Sequence, residues 1–144
     1  MVRATVVSAG TAHTMIITQD GDVWGTGQNL YGQLGAGQSK TGDSRADKEH
    51  FQKIQAGVSA MDVSAGGYHT LLMKHGGTVW AAGRNNHGQL GDRTTSDRLG
   101  FVYVLPAGVR AIAAGGYHSL VVMRDSTLWS TGSNSFGQLG ARFM

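Results

Sequence analysis

Gly32-Gln33-Leu34-Gly35 recurs as Gly88-Gln89-Leu90-Gly91 and again as Gly137-Gln138-Leu139-Gly140. Each copy closes a longer pattern. Reading backward from it, every copy has an asparagine (Asn29, Asn85, Asn134), a glycine (Gly27, Gly83, Gly132) and a tryptophan (Trp24, Trp80, Trp129). Eleven residues before each tryptophan stands a histidine (His13, His69, His118), itself preceded by a glycine (Gly10, Gly66, Gly115). The first and second copies are offset by 56 residues and the second and third by 49, the same for histidine, tryptophan and glutamine. The chain is therefore a tandem array of three units. A unit near 50 residues, built of short apolar runs and glycine-bearing turns, points to one small sheet per unit, a propeller blade, rather than to helical pairs.

The local sequence fills in the blade. After each histidine comes an apolar run, Thr14–Thr18, Thr70–Lys74 and Ser119–Met123, that reads as a strand buried on both faces. Asp20-Gly21, Gly76-Gly77 and Asp125-Ser126 follow, pairs that tolerate positive φ and close a tight hairpin. The returning strand carries the tryptophan and then a small residue, Gly25, Ala81 or Ser130. A short strand precedes each histidine, and a fourth is expected at Phe51–Ile54 and Phe101–Leu105. Pro106 sits just past the second of these, where a missing backbone donor costs least.

The expected fold is all-β: a propeller of four-stranded blades, about three of them in this chain. The units are assigned to 1–50, with a long loop over 36–50, then 51–100 and 101–144, the third lacking its last strand. Closed propellers use about 4 to 8 blades. The array is thus expected to be part of a larger propeller, or to be completed by a second copy in a ring of six blades. Open strand edges near Val6 and Trp129 would otherwise invite intermolecular pairing.

Composition narrows the classes. The chain has 144 residues, 40% hydrophobic and 15% charged, enough for a packed core. Its formal charge of +3 and pI of about 9.5 come from scattered Lys and Arg, no two of them adjacent. That pattern argues against nucleic acid as the main partner. No apolar run approaches the roughly 20 residues of a membrane helix, and the N-terminus lacks a secretory signal's layout, so a cytoplasmic or nuclear location is expected. Absence of cysteine removes disulfides and thiol catalysis.

The glycine-rich turn with His-Thr or His-Ser, the spaced tryptophan, and Gly-x-Asn-x-x-Gly-Gln-Leu-Gly together resemble the regulator of chromosome condensation repeat over nearly the whole chain. Kelch repeats share a glycine pair, as at Gly66-Gly67 and Gly115-Gly116, but not the Asn-x-x-GQLG ending. The resemblance implies a seven-bladed propeller in full-length members and functions that are mostly binding. Its founding member is an exchange factor for the small GTPase Ran on chromatin; other members include a plant ultraviolet photoreceptor, ubiquitin-ligase proteins and a β-lactamase inhibitor. Fold alone does not choose among these. The photoreceptor's Gly-Trp-Arg-His-Thr is replaced here by Gly66-Gly67-Tyr68-His69-Thr70 and Gly115-Gly116-Tyr117-His118-Ser119, which argues against light sensing.

Candidate chemistry is sparse. His13, His69 and His118 invite a metal reading, but equivalent groups on successive blades sit too far apart to share an ion about 2.0–2.1 Å from each nitrogen. They are read as structural hydrogen-bonding groups, as are Gln33, Gln89 and Gln138; Trp24, Trp80 and Trp129 are read as blade packing. Gly32–Thr41 looks like a phosphate loop, but Gln38 and Ser39 separate its glycine from Lys40. No repeated carboxylate pair and no Gly-x-Ser-x-Gly elbow is present, so neither an enzyme nor a cofactor is expected.

Recognition is expected where the units differ. The residue before each GQLG is Tyr31, His87 or Phe136, a large side chain that either meets a partner's pocket or covers its own loop. The connection from Ala36 to His50 carries Lys40, Arg45 and Lys48 among mixed charges, and is either solvated or an inserted contact loop. The leading reading is a non-enzymatic repeat module for protein–protein interaction. Exchange on a Ran-like GTPase and chromatin or nucleic-acid binding are the alternatives.

Overall fold

Eleven antiparallel strands form three sheets in the computed structural model, which describes residues 2–37 and 45–140. The first blade comprises β1 (Ala4–Ala9), β2 (His13–Thr18), β3 (Val23–Gly27) and β4 (Lys48–Gln55), paired in that order. The second repeats it with β5 (Ala60–Ala65), β6 (His69–Lys74), β7 (Thr78–Gly83) and β8 (Arg98–Leu105). The third has β9 (Val109–Ala114), β10 (His118–Met123) and β11 (Leu128–Gly132). Among the described residues there is no helix. Among the described residues the sheets thus have four, four and three strands.

Register repeats between blades. His13 pairs with Gly27, His69 with Gly83 and His118 with Gly132, so each histidine opposes the glycine that ends the tryptophan strand. The hairpin turns bear left-handed residues at Gly21, Gly76, Gly77 and Ser126, as the turn sequences suggested. The fourth strands begin earlier than the apolar runs alone mark, at Lys48 and Arg98, because bulges let polar residues continue the ladder along the outer edge.

The expected burial on both faces is found in β2 and β6 but not in β10, where only Ser119 and Val121 are buried, because among the described residues no further sheet packs on that blade's other face. Met15, Ile17, Val23 and Leu34 of the first blade pack against Ala60, Val63, Ala65 and Leu72 of the second, with Trp80 and Phe101 at the margin. The second and third blades join through Met73, Val79, Val109 and Val121, and through Leu71, Ala81 and Leu90 with Ile112 alongside. The core is thus mostly between sheets, and each blade is stabilised by its neighbour's face.

Antiparallel order puts two sets of loops at opposite ends of the blades. One rim holds the turns before each histidine and the GQLG loops that follow β3, β7 and β11. The other holds the tight hairpins at 19–22, 75–77 and 124–127, with the connections between blades.

Candidate interaction surface

The GQLG loop is built by its own side chains. Asn29, Asn85 and Asn134 accept, through Oδ1, the backbone N–H of Leu34, Leu90 and Leu139 at 3.1, 3.0 and 3.0 Å. Gln33, Gln89 and Gln138 accept, through Oε1, the N–H of Tyr31, His87 and Phe136 at 3.0, 2.9 and 2.9 Å. Both glycines of each GQLG have positive φ, between 65° and 82°, a conformation that side chains with a Cβ disfavour. The recurring letters therefore encode a rigid loop whose buried donors are satisfied, and the variable residue ahead of them is held out from it.

Two of these glutamines, Gln33 and Gln89, also take part, through their backbone carbonyls, in the joints between blades. Thr70 Oγ1 donates to the Gln33 carbonyl at 2.6 Å and lies 2.9 Å from His13 Nε2. One blade on, Ser119 Oγ donates to the Gln89 carbonyl at 2.7 Å and lies 2.8 Å from His69 Nε2. A hydroxyl has one proton, and the carbonyl takes it. Each imidazole must then carry its proton on Nε2 and donate it to the hydroxyl oxygen. That leaves Nδ1 of His13 and His69 buried without a hydrogen-bond partner. Burial pushes both imidazoles down to about 4, with the neighbouring His13 and His118 adding to the lowering at His69. Both rings are therefore neutral hydrogen-bonding groups of the joint near pH 7. Among the described residues, no cluster of three or more His, Cys, Asp or Glu is placed to hold a metal ion.

Two further hydrogen bonds cross the joints. Ser8 Oγ accepts the Ala65 N–H and Ser64 Oγ accepts the Ala114 N–H, each at 2.9 Å. The glycine pair has its explanation here too. A Cβ on Gly67 would stand 2.5 Å from the Gly116 carbonyl of the next blade, whereas one on Gly116 meets nothing within 4 Å.

On the GQLG rim, aromatic side chains from all three blades converge. The Tyr31 and Tyr68 rings meet edge to face with centres 5.5 Å apart, Tyr68 lies 5.9 Å from Tyr117, and His87 meets Tyr117 edge to face at 5.5 Å. The Arg84 guanidinium lies over this group, 4.7 Å from the Tyr31 ring centre, 5.5 Å from Tyr117 and 5.6 Å from Tyr68. Tyr117 is 38% exposed. Tyr31, Tyr68 and Arg84 are half-buried, so the cluster is ordered by packing while presenting a face to solvent.

The sequence candidates divide as follows. Tyr31 and His87 each lean on the tyrosine that precedes the next blade's histidine, while Phe136 stands 93% exposed. Arg45 Nη1 donates to the Leu30 carbonyl at 3.3 Å, beside the same rim. Lys48 opens β4, its carbonyl accepting from Thr26 Oγ1 at 2.7 Å. Lys40 lies outside the described residues. In the connection over 36–50, Asp47 accepts the Asn29 N–H at 2.9 Å, just as Asp97 accepts that of Asn85, so part of that connection holds the loop. Trp80 meets Tyr103 edge to face, with ring centres 5.5 Å apart, and Lys74 Nζ lies 4.1 Å from its centre; Lys53 covers Trp24 at 5.4 Å, and Trp129 is 55% exposed.

Sequence reasoning passed over Arg84, Tyr68 and Tyr117 as contact residues. The signal for the tyrosines was available, since they occupy matched positions before His69 and His118. Arg84 had none, because Gln28 and Ser133 replace it in the other units.

Comparison with known proteins fits this architecture. The family model for the "Regulator of chromosome condensation (RCC1) repeat" matches residues 5–33, 62–89 and 109–138, and a second model of the same description matches 20–73 and 76–122. The probable E3 ubiquitin-protein ligase HERC4 of Homo sapiens is 33% identical over 97 residues, covering 67% of this chain and 9% of that protein. The ultraviolet-B receptor UVR8 of Arabidopsis thaliana is 32% identical over 100 residues, covering 68% and 21%. The chain thus spans a small fraction of these relatives. Among solved structures, Prp20p of Saccharomyces cerevisiae, described with its binding to Gsp1p and histones, superposes with a TM-score of 0.83 at 19% identity, covering 98% of this chain and 36% of that one. Human WBSCR16 gives 0.80 at 25% identity, covering 96% and 36%. Among the described residues, no helix is long and apolar enough to cross a membrane.

Proposed function

Because the chain belongs to the regulator of chromosome condensation (RCC1) repeat family, we propose that it is a non-enzymatic propeller segment that binds a protein partner through its GQLG rim. The observation that carries this reading is the partly exposed aromatic cluster of Tyr31, Tyr68, His87 and Tyr117 around Arg84. It is built on loops whose backbone is fixed by the repeat, so the variable side chains are preorganised for contact. Phe136 and Arg45 extend the same rim. The ligase activity in the name of the human relative does not transfer with a stretch amounting to 9% of its length. A cytoplasmic or nuclear location goes with this reading.

Photo-crosslinking tests it. A photoreactive residue at position 31, 87 or 136 is expected to capture a discrete partner in cells, and one at position 76, on the opposite rim, is not. Equal capture from both rims would overturn the assignment. The rival reading, exchange on a Ran-like GTPase, requires faster release of labelled GDP from the loaded GTPase. The likeness to Prp20p is one of fold and carries no exchange residue onto this chain.

A second partner class follows from the joints. Thr14 stands where Thr70 and Ser119 stand in the later blades, while His118 and Gln138 repeat His69 and Gln89. Neither half of this third joint is matched among the described residues. The two outer faces are therefore complementary, and each accepts a further repeat, from the same polypeptide or from a second copy. Light scattering on the purified chain separates these: a discrete dimer supports the second copy, and a dilution-stable monomer removes it.

A further inference from the structure

Arg84 carries a charge that no carboxylate among the described residues balances. The ion pairs described are Lys53 with Asp22 and Arg98 with Asp92; the Arg84 backbone N–H donates to the Tyr68 carbonyl at 2.9 Å, while its side chain has only the ring contacts among the described residues. Nor does the blade need an arginine there, since Gln28 and Ser133 occupy the equivalent positions.

Among the described residues, no hydrogen bond or ion pair takes up the Arg84 guanidinium donors. A carboxylate matches that fork with two parallel hydrogen bonds. The three tyrosines crowd the side chain, which lowers the entropy lost on binding, and their half-buried setting strengthens the charge interaction. Among the described residues, no lysine or second arginine lies over these rings, and Arg45 stands apart at the Leu30 carbonyl. A phosphodiester backbone is bound by a series of cations, so a single guanidinium walled by aromatics fits one acidic side chain with an aromatic or apolar neighbour.

We propose that Arg84, held among Tyr31, Tyr68 and Tyr117, is the socket for an Asp or Glu side chain of an acidic segment in the protein partner. This rests on the protein-interaction reading above and names the chemistry of that partner. Tyr31 and Tyr117 flank the bound carboxylate and receive the residue beside it.

Fluorescence anisotropy tests the socket, with a fluorescein-labelled glutamate-rich peptide bearing a central tyrosine as the probe and its glutamine counterpart as control. The glutamate peptide is expected to bind and the glutamine peptide to bind about tenfold more weakly. Arg84→Gln should lose about tenfold, Arg84→Lys should fall between because it keeps the charge but not the fork, and Arg124→Gln, on the opposite rim, should change nothing. Near-ultraviolet circular dichroism on the tyrosines verifies that the variants keep the cluster folded. Equal binding by wild type and Arg84→Gln overturns the proposal, as does equal binding of the two peptides. A single-stranded oligonucleotide that binds more tightly than the glutamate peptide, and depends on Arg84, overturns it in favour of phosphate. Rim crosslinks that persist in Arg84→Gln, with peptide binding unchanged, sink the socket while leaving the interaction reading standing. Loss of rim-specific crosslinks with Arg84-dependent peptide binding does the reverse.

Discussion

Replacing Thr70 by valine tests the joint between blades most directly, because it removes one hydroxyl and keeps a side chain of nearly the same shape. In the wild type that hydroxyl donates to the Gln33 carbonyl at 2.6 Å and accepts from His13 Nε2 at 2.9 Å, and all three residues are buried. Valine leaves a carbonyl and an imidazole N–H without partners in a space closed to water. Each orphaned group costs about 1–3 kcal/mol, so the expected loss for the two is about 2–6 kcal/mol, an appreciable part of a small domain's stability. Urea unfolding followed by tryptophan fluorescence reads it as a fall in midpoint at unchanged slope. Thr14→Val is the matched control: the same substitution at the equivalent position, where no described group shares the hydroxyl, should cost less than about 0.5 kcal/mol. If Thr70→Val also stays within about 0.5 kcal/mol of wild type, the hydroxyl is not the joint and the role assigned to the histidines fails with it.

Acid should loosen the same joints. His13 and His69 stay neutral in the folded chain down to about 4, whereas an unfolded histidine protonates near 6.5. Between those values the unfolded state binds more protons, so stability is full above about 6.5 and falls as pH drops toward 4, by roughly 3 kcal/mol per imidazole over the whole window. Urea midpoints that stay flat from neutral pH down to about 4.5 would contradict the buried neutral rings. Gly67→Ala should destabilise the chain by about 1–3 kcal/mol, because its Cβ would press on the Gly116 carbonyl at 2.5 Å, and Gly116→Ala should be nearly neutral. Equal thermal shifts in the two variants would show that a local turn, and not the approach of two blades, sets the glycine.

Much of the fold was legible because repetition supplies internal comparison. The same residues at the same offsets identify positions the blade requires, and the alternation of apolar runs and turn pairs gives the strands. The outer strands were harder, since β4 reads Lys-Glu-His-Phe-Gln-Lys-Ile-Gln and joins its sheet through bulged pairing rather than a hydrophobic stripe. The roles of Ser8 and Ser64 had no local signal, because each acts on the blade that follows.

By itself the sequence determined the repeat, the sheet-forming segments and the loop chemistry of Asn-x-x-GQLG, all of which depend on residues close together in the chain. Tertiary structure alone decided which side chains share the rim. Tyr31, Tyr68, Arg84 and Tyr117 come from three blades, and no spacing along the chain reveals that they meet. That meeting is set by how one sheet packs its face on the next, through the His13–Thr70 and His69–Ser119 joints.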